Sequence, residues 1–387
     1  MRVLKEIYLD NSATTQPYPD VVQKMVEMME STYGNPSSLH RKGLQAEKEI
    51  DKARDKVAKA LGVKKGEVLF TSGGTEANNL ALFGAARQYA SRGKHIISTQ
   101  IEHACVYEAL QELEQRGYVV TFLPVSADGF VDPEDVKKAW REDTILVSVM
   151  YVNNETGAIQ PIESIGAFLK GKRKTLFHVD AVQALGKIPL KIKEAGIDLL
   201  SISGHKVHGP KGVGALYVRD GVQLAPLFYG GGQERGVRSG TENAPGIVGM
   251  GVAVERAAKE MAQGAKGMAH LRDLLMKRLP EEIEDIRINT PEQNAAPHIV
   301  NVSFPGVRGE VLIHTLETHG VYVSTGSACS SKEKIYSRVL KALGLSEKDL
   351  EGGIRISLSA SNTQDEIEAA IAELKTAVED LRMFSRR

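Results

Sequence analysis

The chain has 387 residues, 42% hydrophobic and 25% charged, which is enough for two domains or for one large domain with an appendage. Lys and Arg together number 49, as do Asp and Glu, so there is no overall basic field to gather nucleic acid or anionic lipid. No run approaches the roughly 18 apolar residues of a membrane span, and the N-terminal MRVLKEIYLDNSATT lacks the apolar core of a signal peptide. Neither nucleic acid nor membrane is an expected partner, and a cytoplasmic location is expected. In such a reducing compartment Cys105 and Cys329 are expected as thiols, not as a disulfide.

Short apolar or β-branched runs recur between longer amphipathic stretches: GEVLFTSGGTEANNLALFGAARQYA, HIISTQ, VVTFLPV, TILVSVMYVNNE, TLFHVD and LLSISGHK. This alternation predicts a mostly parallel sheet with helices on its faces, an α/β core over residues 15–255. Several runs end in polar residues, among them Thr71-Ser72, Asn153-Asn154-Glu155, Asp180 and His205-Lys206. Open α/β sheets collect ligands at such strand ends. A long helical pattern then runs from about Ile247 to Leu279, with local breaks expected at Gly264 and Gly267. Beyond it, HIVNVSF, GIRISLS and the helical TQDEIEAAIAELKTAVEDLRMF predict a smaller α+β domain. Residues 1–14 are assigned with 256–387 to that smaller domain.

TSGGTEANN puts two glycines and a hydroxyl between a strand and a helix, the outline of an anion site, because free N–H groups at a helix N-terminus suit a phosphate. A plain turn capped by Thr75 fits the same residues. No G-x-G-x-x-G is present, and GHKVHGPKG is not the P-loop pattern. Asp180 closes one apolar strand and Lys206 follows the next, so the two charges are expected to face one crevice. A lysine made partly neutral can form a Schiff base, and an aspartate can hold the proton of a pyridinium nitrogen. The alternative is a salt bridge at the sheet edge. The pair His205 and His208 has metal-like spacing but no acidic or thiol neighbour, and no metal is expected. His103 and Cys105, two residues apart, are expected on opposite faces. Arg355 alternates with Ile354 and Ile356, which alone reads as a surface arginine on a strand.

Cys105 opens the apolar-rich ACVYEALQEL and reads as a packing residue. Cys329 sits in VSTGSACSSKEK among small polar residues, the setting of an exposed, mobile loop and a reactive thiol.

Phosphate loop, aspartate and lysine together describe a site for pyridoxal 5′-phosphate (PLP). Through YLDNSATT, YGNPSSLH, TSGGTEANN, EHACV, VNNETG, HVDAVQ, SGHKVHGPKGVG, GGGQERGVRSGTEN, STGSACSS and IRISL, the chain resembles the cysteine desulfurases of the NifS/IscS-like group. These are PLP enzymes of the class V aminotransferase family, with fold type I. The resemblance implies that Lys206 carries PLP as a Schiff base, that Asp180 partners the ring nitrogen and that Gln183 bonds the ring hydroxyl oxygen. It implies further that Gly74, Thr75, Ser203 and His205 hold the phosphate, with Thr241 reaching it from the neighbouring subunit of a homodimer. His103 is similar to the residue stacked over the ring, able to act as acid or base. Asn154 and Arg355 are similar to the ligands of the substrate carboxylate.

On this resemblance the expected reaction turns L-cysteine into L-alanine. Lys206 moves the α-proton, and the Cys329 thiolate takes the sulfur as a persulfide for an acceptor protein such as an iron–sulfur scaffold. A selenocysteine lyase, another β-lyase or an aminotransferase would share the PLP residues without needing Cys329. A non-catalytic sulfur-trafficking protein would not need Lys206, Asp180 and His103. Thr325 stands where many relatives carry serine. The end at LRMFSRR, soon after the last helix, makes docking through a longer tail unexpected.

Overall fold

The structure is a computed structural model that describes residues 6–325 and 336–385. Its strands, in chain order, are β1 (Ile7–Tyr8), β2 (Val68–Thr71), β3 (His95–Thr99), β4 (Val119–Leu123), β5 (Thr144–Met150), β6 (Leu176–Asp180), β7 (Leu199–Ser203), β8 (Gly214–Val218), β9 (Arg287–Ile288), β10 (Ile299–Ser303), β11 (Val321–Tyr322) and β12 (Gly353–Ser357). The helices are α1 (Pro19–Glu30), α2 (Arg41–Leu61), α3 (Gly74–Gln88), α4 (Ala104–Gln115), α5 (Pro133–Ala139), α6 (Ile162–Leu169), α7 (Ala244–Glu282), α8 (Gly309–Thr318), α9 (Arg338–Ala342), α10 (Glu347–Glu351) and α11 (Gln364–Ser385).

Seven strands form one sheet in the order β2-β8-β7-β6-β5-β3-β4. All neighbours are parallel except where β8 pairs antiparallel with β2 and β7. Successive side chains point to opposite faces, so Val68 and Phe70 join one apolar cluster while Leu69 joins another, and Ile96 and Ile97 divide the same way. Both faces are covered, which is why β5, TILVSVM, is buried at every position. The parallel strands deliver the ends of β2, β5, β6 and β7 to one edge, where the registers Met150↔Asp180 and Asp180↔Ser201 align the polar residues.

A second core gathers Ile7, Leu9, Leu275, Val302, Ile354 and Leu374 around the antiparallel sheet β12-β10-β9 and the short parallel pair β1-β11. The bridge Asp10↔Ser357 ties the beginning of the chain to β12, and Ser324↔Arg355 ties the segment after β11 to it. Helix α7 joins the two cores. Ile247, Met250 and Val254 belong to the first core and Met268, Leu271, Leu275 and Leu279 to the second. The expected breaks at Gly264 and Gly267 do not occur: the helix is continuous over 39 residues. A glycine costs a helix about 1 kcal/mol, less than the burial of the apolar residues on either side of these two. Gly251 has a specific reason to be there, since a Cβ would stand 2.8 Å from the Cα of Ala53 where α2 crosses. Among the described residues, no helix is long and apolar enough to cross a membrane.

Candidate active site

A cavity of about 440 Å³ opens at the C-terminal edge of the large sheet. Strand β6 supplies Asp180, β7 supplies Ser203, and the turn after β7 supplies His205 and Lys206. Gly74 and Thr75 come from the start of α3, and His103 and Cys105 from the start of α4. Asn154 follows β5, Arg355 comes from β12, and Gln183, Ser12, Ala13 and Ser324 complete this part of the wall.

The Lys206 Nζ donates to the carbonyls of Ser12 (2.6 Å) and Ala13 (2.7 Å). Burial, helped by the Arg355 charge, pushes its pKa down to about 8, against the opposing pull of Asp10 and Asp180. Asp180 accepts from the Val182 N–H at Oδ1 (2.9 Å) and from Asn78 Nδ2 at Oδ2 (2.7 Å). Lys206 and Asp180 thus face one crevice, each satisfied by other groups, and no salt bridge joins them among the described residues. Gln183 donates to the Ser12 carbonyl (3.0 Å) and faces His298 (3.4 Å).

Helix α3 begins at Gly74 with Gly73 as its N-cap and no side-chain cap, so the Thr75 hydroxyl is not the cap of a plain turn. A Cβ on Gly74 would stand 2.9 Å from Val182 Cγ2, so only glycine keeps this approach open. The buried Ser203 Oγ has no hydrogen-bond partner among the described residues. His205 bonds Thr14 Oγ1 through Nδ1 (3.2 Å), and burial pushes its pKa down to about 4, with Lys206 and Lys211 adding to the effect. A helix N-terminus, an unpaired buried hydroxyl and a neutral imidazole form a cradle suited to a phosphate. With Asp180 and Lys206 beyond it, the residues present fit PLP.

Arg355 is buried, not a surface arginine: the Ser324↔Arg355 bridge and the first residues of the chain cover β12. Its Nη2 donates to Asp10 Oδ1 (2.8 Å) and its Nη1 to the Asn154 carbonyl (2.9 Å), while the buried Nε has no partner among the described residues. The buried Asn154 Oδ1 is likewise unpaired.

His103 and Cys105 are not on opposite faces. His103 is the N-cap of α4, so its ring folds back over the helix start and its Nδ1 lies 3.0 Å from Cys105 Sγ. The residue is exposed at the cavity, with enough protein nearby to desolvate the ring in part. Desolvation therefore lowers its pKa, Lys206, Arg338 and Arg355 lower it further, and Asp180 opposes them. Cys105 packs against the α3–α4 cluster, as the apolar pattern suggests, but it also lines the cavity. Burial pushes its thiol up to about 12, which keeps it protonated. Just before it, Glu102 is fully buried and accepts from the Thr99 hydroxyl (2.7 Å) and the Met150 N–H (3.1 Å), which pins the turn that carries His103.

Thr241 is exposed on the segment before α7 and does not line its own chain's cavity. Cys329 lies outside the described residues. Both flanks of its segment are anchored beside the cavity. Ser324 pairs with Arg355, Ser337 donates to Glu155, and Arg338 donates to the carbonyls of Gln100 and Glu102. His208 turns away to Gln16 (2.8 Å) and stacks on Tyr18. The residues that sequence reasoning left without a role are Asp10, Ser12 and Asn78, all of them inside the motifs YLDNSATT and TSGGTEANN, which were the available signal.

The chain belongs to the class-V aminotransferase family, whose profile matches residues 7–370. That family is PLP-dependent. Within it, the chain is 45% identical over 381 residues to the cysteine desulfurase IscS of Dictyoglomus turgidum, covering 98% of this chain and 96% of that one. A solved NifS-like protein is 42% identical with a TM-score of 0.92, covering 97% of this chain and all of that one. A structure titled SspA in complex with cysteine is 36% identical with a TM-score of 0.82, covering 93% of this chain and all of that one.

Reactivity at Lys206 should follow its lowered pKa. Only the unprotonated amine attacks an aldehyde. Capture of PLP by cofactor-free protein, read by absorbance, is therefore expected to speed up with pH and to level off above about 8. A rate still climbing at the ordinary lysine range near 10.4 would contradict the burial described above.

Proposed function

We propose that this protein is a cysteine desulfurase that converts L-cysteine to L-alanine and passes the sulfur, as a persulfide on Cys329, to an acceptor protein such as an iron–sulfur scaffold. The observation that carries the reading is one cavity holding a half-buried lysine shifted toward neutrality, a carboxylate held by two N–H donors, and a buried arginine whose Nε has no partner among the described residues. The similarity to cysteine desulfurases over nearly the whole chain supports the same conclusion.

In this reading Lys206 holds PLP, Asp180 faces the ring nitrogen and Gln183 the ring hydroxyl oxygen. Gly74, Thr75, Ser203 and His205 hold the phosphate. When bound, PLP supplies an electron sink for the charge left at the substrate α-carbon. Arg355 and Asn154 grip the substrate carboxylate, with Arg355 held in place by Asp10. That grip orients the α-proton toward Lys206, whose lowered pKa suits it to take the proton and return it. His103, stacked over the ring and kept neutral by desolvation, serves as acid or base at the opposite side. Cys329 Sγ attacks the substrate sulfur: an S–S bond forms, the C–S bond breaks, and the carbon left behind takes up a proton on the way to alanine. The anchoring of both flanks of its segment beside His103 and Arg355 supports this role.

We further propose a homodimer in which the exposed Thr241 reaches the phosphate of the neighbouring subunit, and a cytoplasmic location. The proposed division is a large domain over 15–255 and a small one over 1–14 and 256–387.

The test is alanine formed from L-cysteine by PLP-loaded protein with a thiol acceptor, comparing the parent with Cys329→Ala. Alanine from the parent alone is expected. Equal alanine from both would move the chemistry to direct lyase action and overturn the persulfide route.

A further inference from the structure

Asn78, Cys105 and His103 form a hydrogen-bond chain that ends on Asp180. The Asn78 side chain is fully buried, and its Nδ2 lies 2.7 Å from Asp180 Oδ2 and 3.2 Å from Cys105 Sγ. A carboxylate oxygen accepts, so the amide must present its nitrogen there, and its second N–H is left to the sulfur. The Asn78 Oδ1 has no partner among the described residues, so this orientation is set by the two donors. At the far end, the main-chain N–H of Cys105 lies 3.2 Å from His103 Nδ1, and the thiol sulfur 3.0 Å. A main-chain N–H can only donate, so Nδ1 carries the lone pair and the ring proton resides on Nε2. The thiol, protonated through neutral pH, then has its own proton to direct at Nδ1. The groups facing this chain are Thr75 beside the thiol, Asp180, and the Lys206, Arg338 and Arg355 charges around the imidazole.

We propose that Asn78 and Cys105 are positioning residues. The amide fixes the Asp180 carboxylate and the thiol, and the thiol together with its main-chain N–H fixes His103 as the Nε2–H tautomer. The inference rests on the desulfurase reading for its catalytic meaning. It gives Cys105 work that neither packing nor sulfur transfer accounts for: the thiol delivers a proton in a hydrogen bond and does not ionise. It also links Asp180, which would hold the cofactor ring nitrogen, to His103 through two side chains that line the same cavity.

The test reads the ring nitrogens directly. In protein labelled with ¹⁵N-histidine, with the His103 signals identified by their loss in His103→Gln, the cofactor-free parent and Cys105→Ser are expected to show a protonated Nε2 and a bare Nδ1. Cys105→Ala, which keeps the main-chain N–H but loses the thiol, is expected to keep the Nε2–H form with a shifted Nδ1 signal and a displaced titration midpoint. Asn78→Ala is expected to bind PLP about tenfold more weakly, the loss of one hydrogen bond to a charged group. A protonated Nδ1 in the neutral parent overturns the proposal without recourse to any variant. So do nitrogen shifts in Cys105→Ala and PLP affinity in Asn78→Ala that both match the parent. No alanine from a parent with the expected shifts would overturn the desulfurase reading while supporting the hydrogen-bond chain.

Discussion

Lys206→Ala is expected to lower alanine formation from L-cysteine by roughly 10²–10⁴-fold through loss of acid–base catalysis alone. Its amine is the half-buried base of the cavity assigned to the α-proton, while Asp180 is committed to Asn78 and Val182, and His205 to Thr14. Lys206→Arg separates the two things lysine provides. A guanidinium keeps the positive charge but does not give up its proton in proteins, so the arginine variant should lose as much activity as the alanine variant. More than about a hundredth of parent turnover in Lys206→Arg, above what the roughly 10²-fold lower end of acid–base catalysis allows, would mean that charge and not proton mobility matters there.

Arg355→Ala should raise the KM for L-cysteine by about 100-fold, the equivalent of two charge-assisted hydrogen bonds at the low end of their range. The fold should suffer as well. The Asp10 carboxylate would lose its guanidinium and the Asn154 carbonyl a donor. A fully buried pair broken in this way costs about 3–5 kcal/mol; the Asp10 side chain keeps 21% exposure, so the loss should fall below that range. Arg355→Lys should recover little, because one ammonium cannot serve Asp10, the Asn154 carbonyl and a substrate carboxylate in three directions. Steady-state kinetics and a denaturant midpoint check both effects. A KM unchanged in Arg355→Ala would remove this residue from substrate binding.

Asp180 and Lys206 were legible because each is a charge closing or following a mostly apolar run, and parallel strands bring such ends to one edge. Gly74 was legible for a similar local reason, as a glycine between a strand and a helix. Arg355 was not. Its neighbours Ile354 and Ile356 give the same alternation on a surface strand, and its burial depends on Asp10 and Ser324, both distant in sequence. The expectation of opposite faces for His103 and Cys105 failed on two counts. Residues i and i+2 share a face even in extended chain, and here the pair opens a helix, where the N-cap turn brings His103 Nδ1 back to the Cys105 sulfur. Gly264 and Gly267 misled in the opposite sense, since a local penalty of about 1 kcal/mol each carries no information about the cores at either end of the helix.

Helix α7, with one half rooted in each core, has a mechanical consequence. At 1.5 Å per residue it is a rod of about 58 Å, helical from the first core to the second, with Pro280 withholding one N–H only near its end. Neither core can melt or swing away without bending or fraying the other's own packing element. Heat and denaturant should therefore meet a single cooperative unit. Lys206 follows β7 in the first core and Arg355 stands on β12 in the second, so the strut that spans both cores also braces the two walls of the cavity against each other.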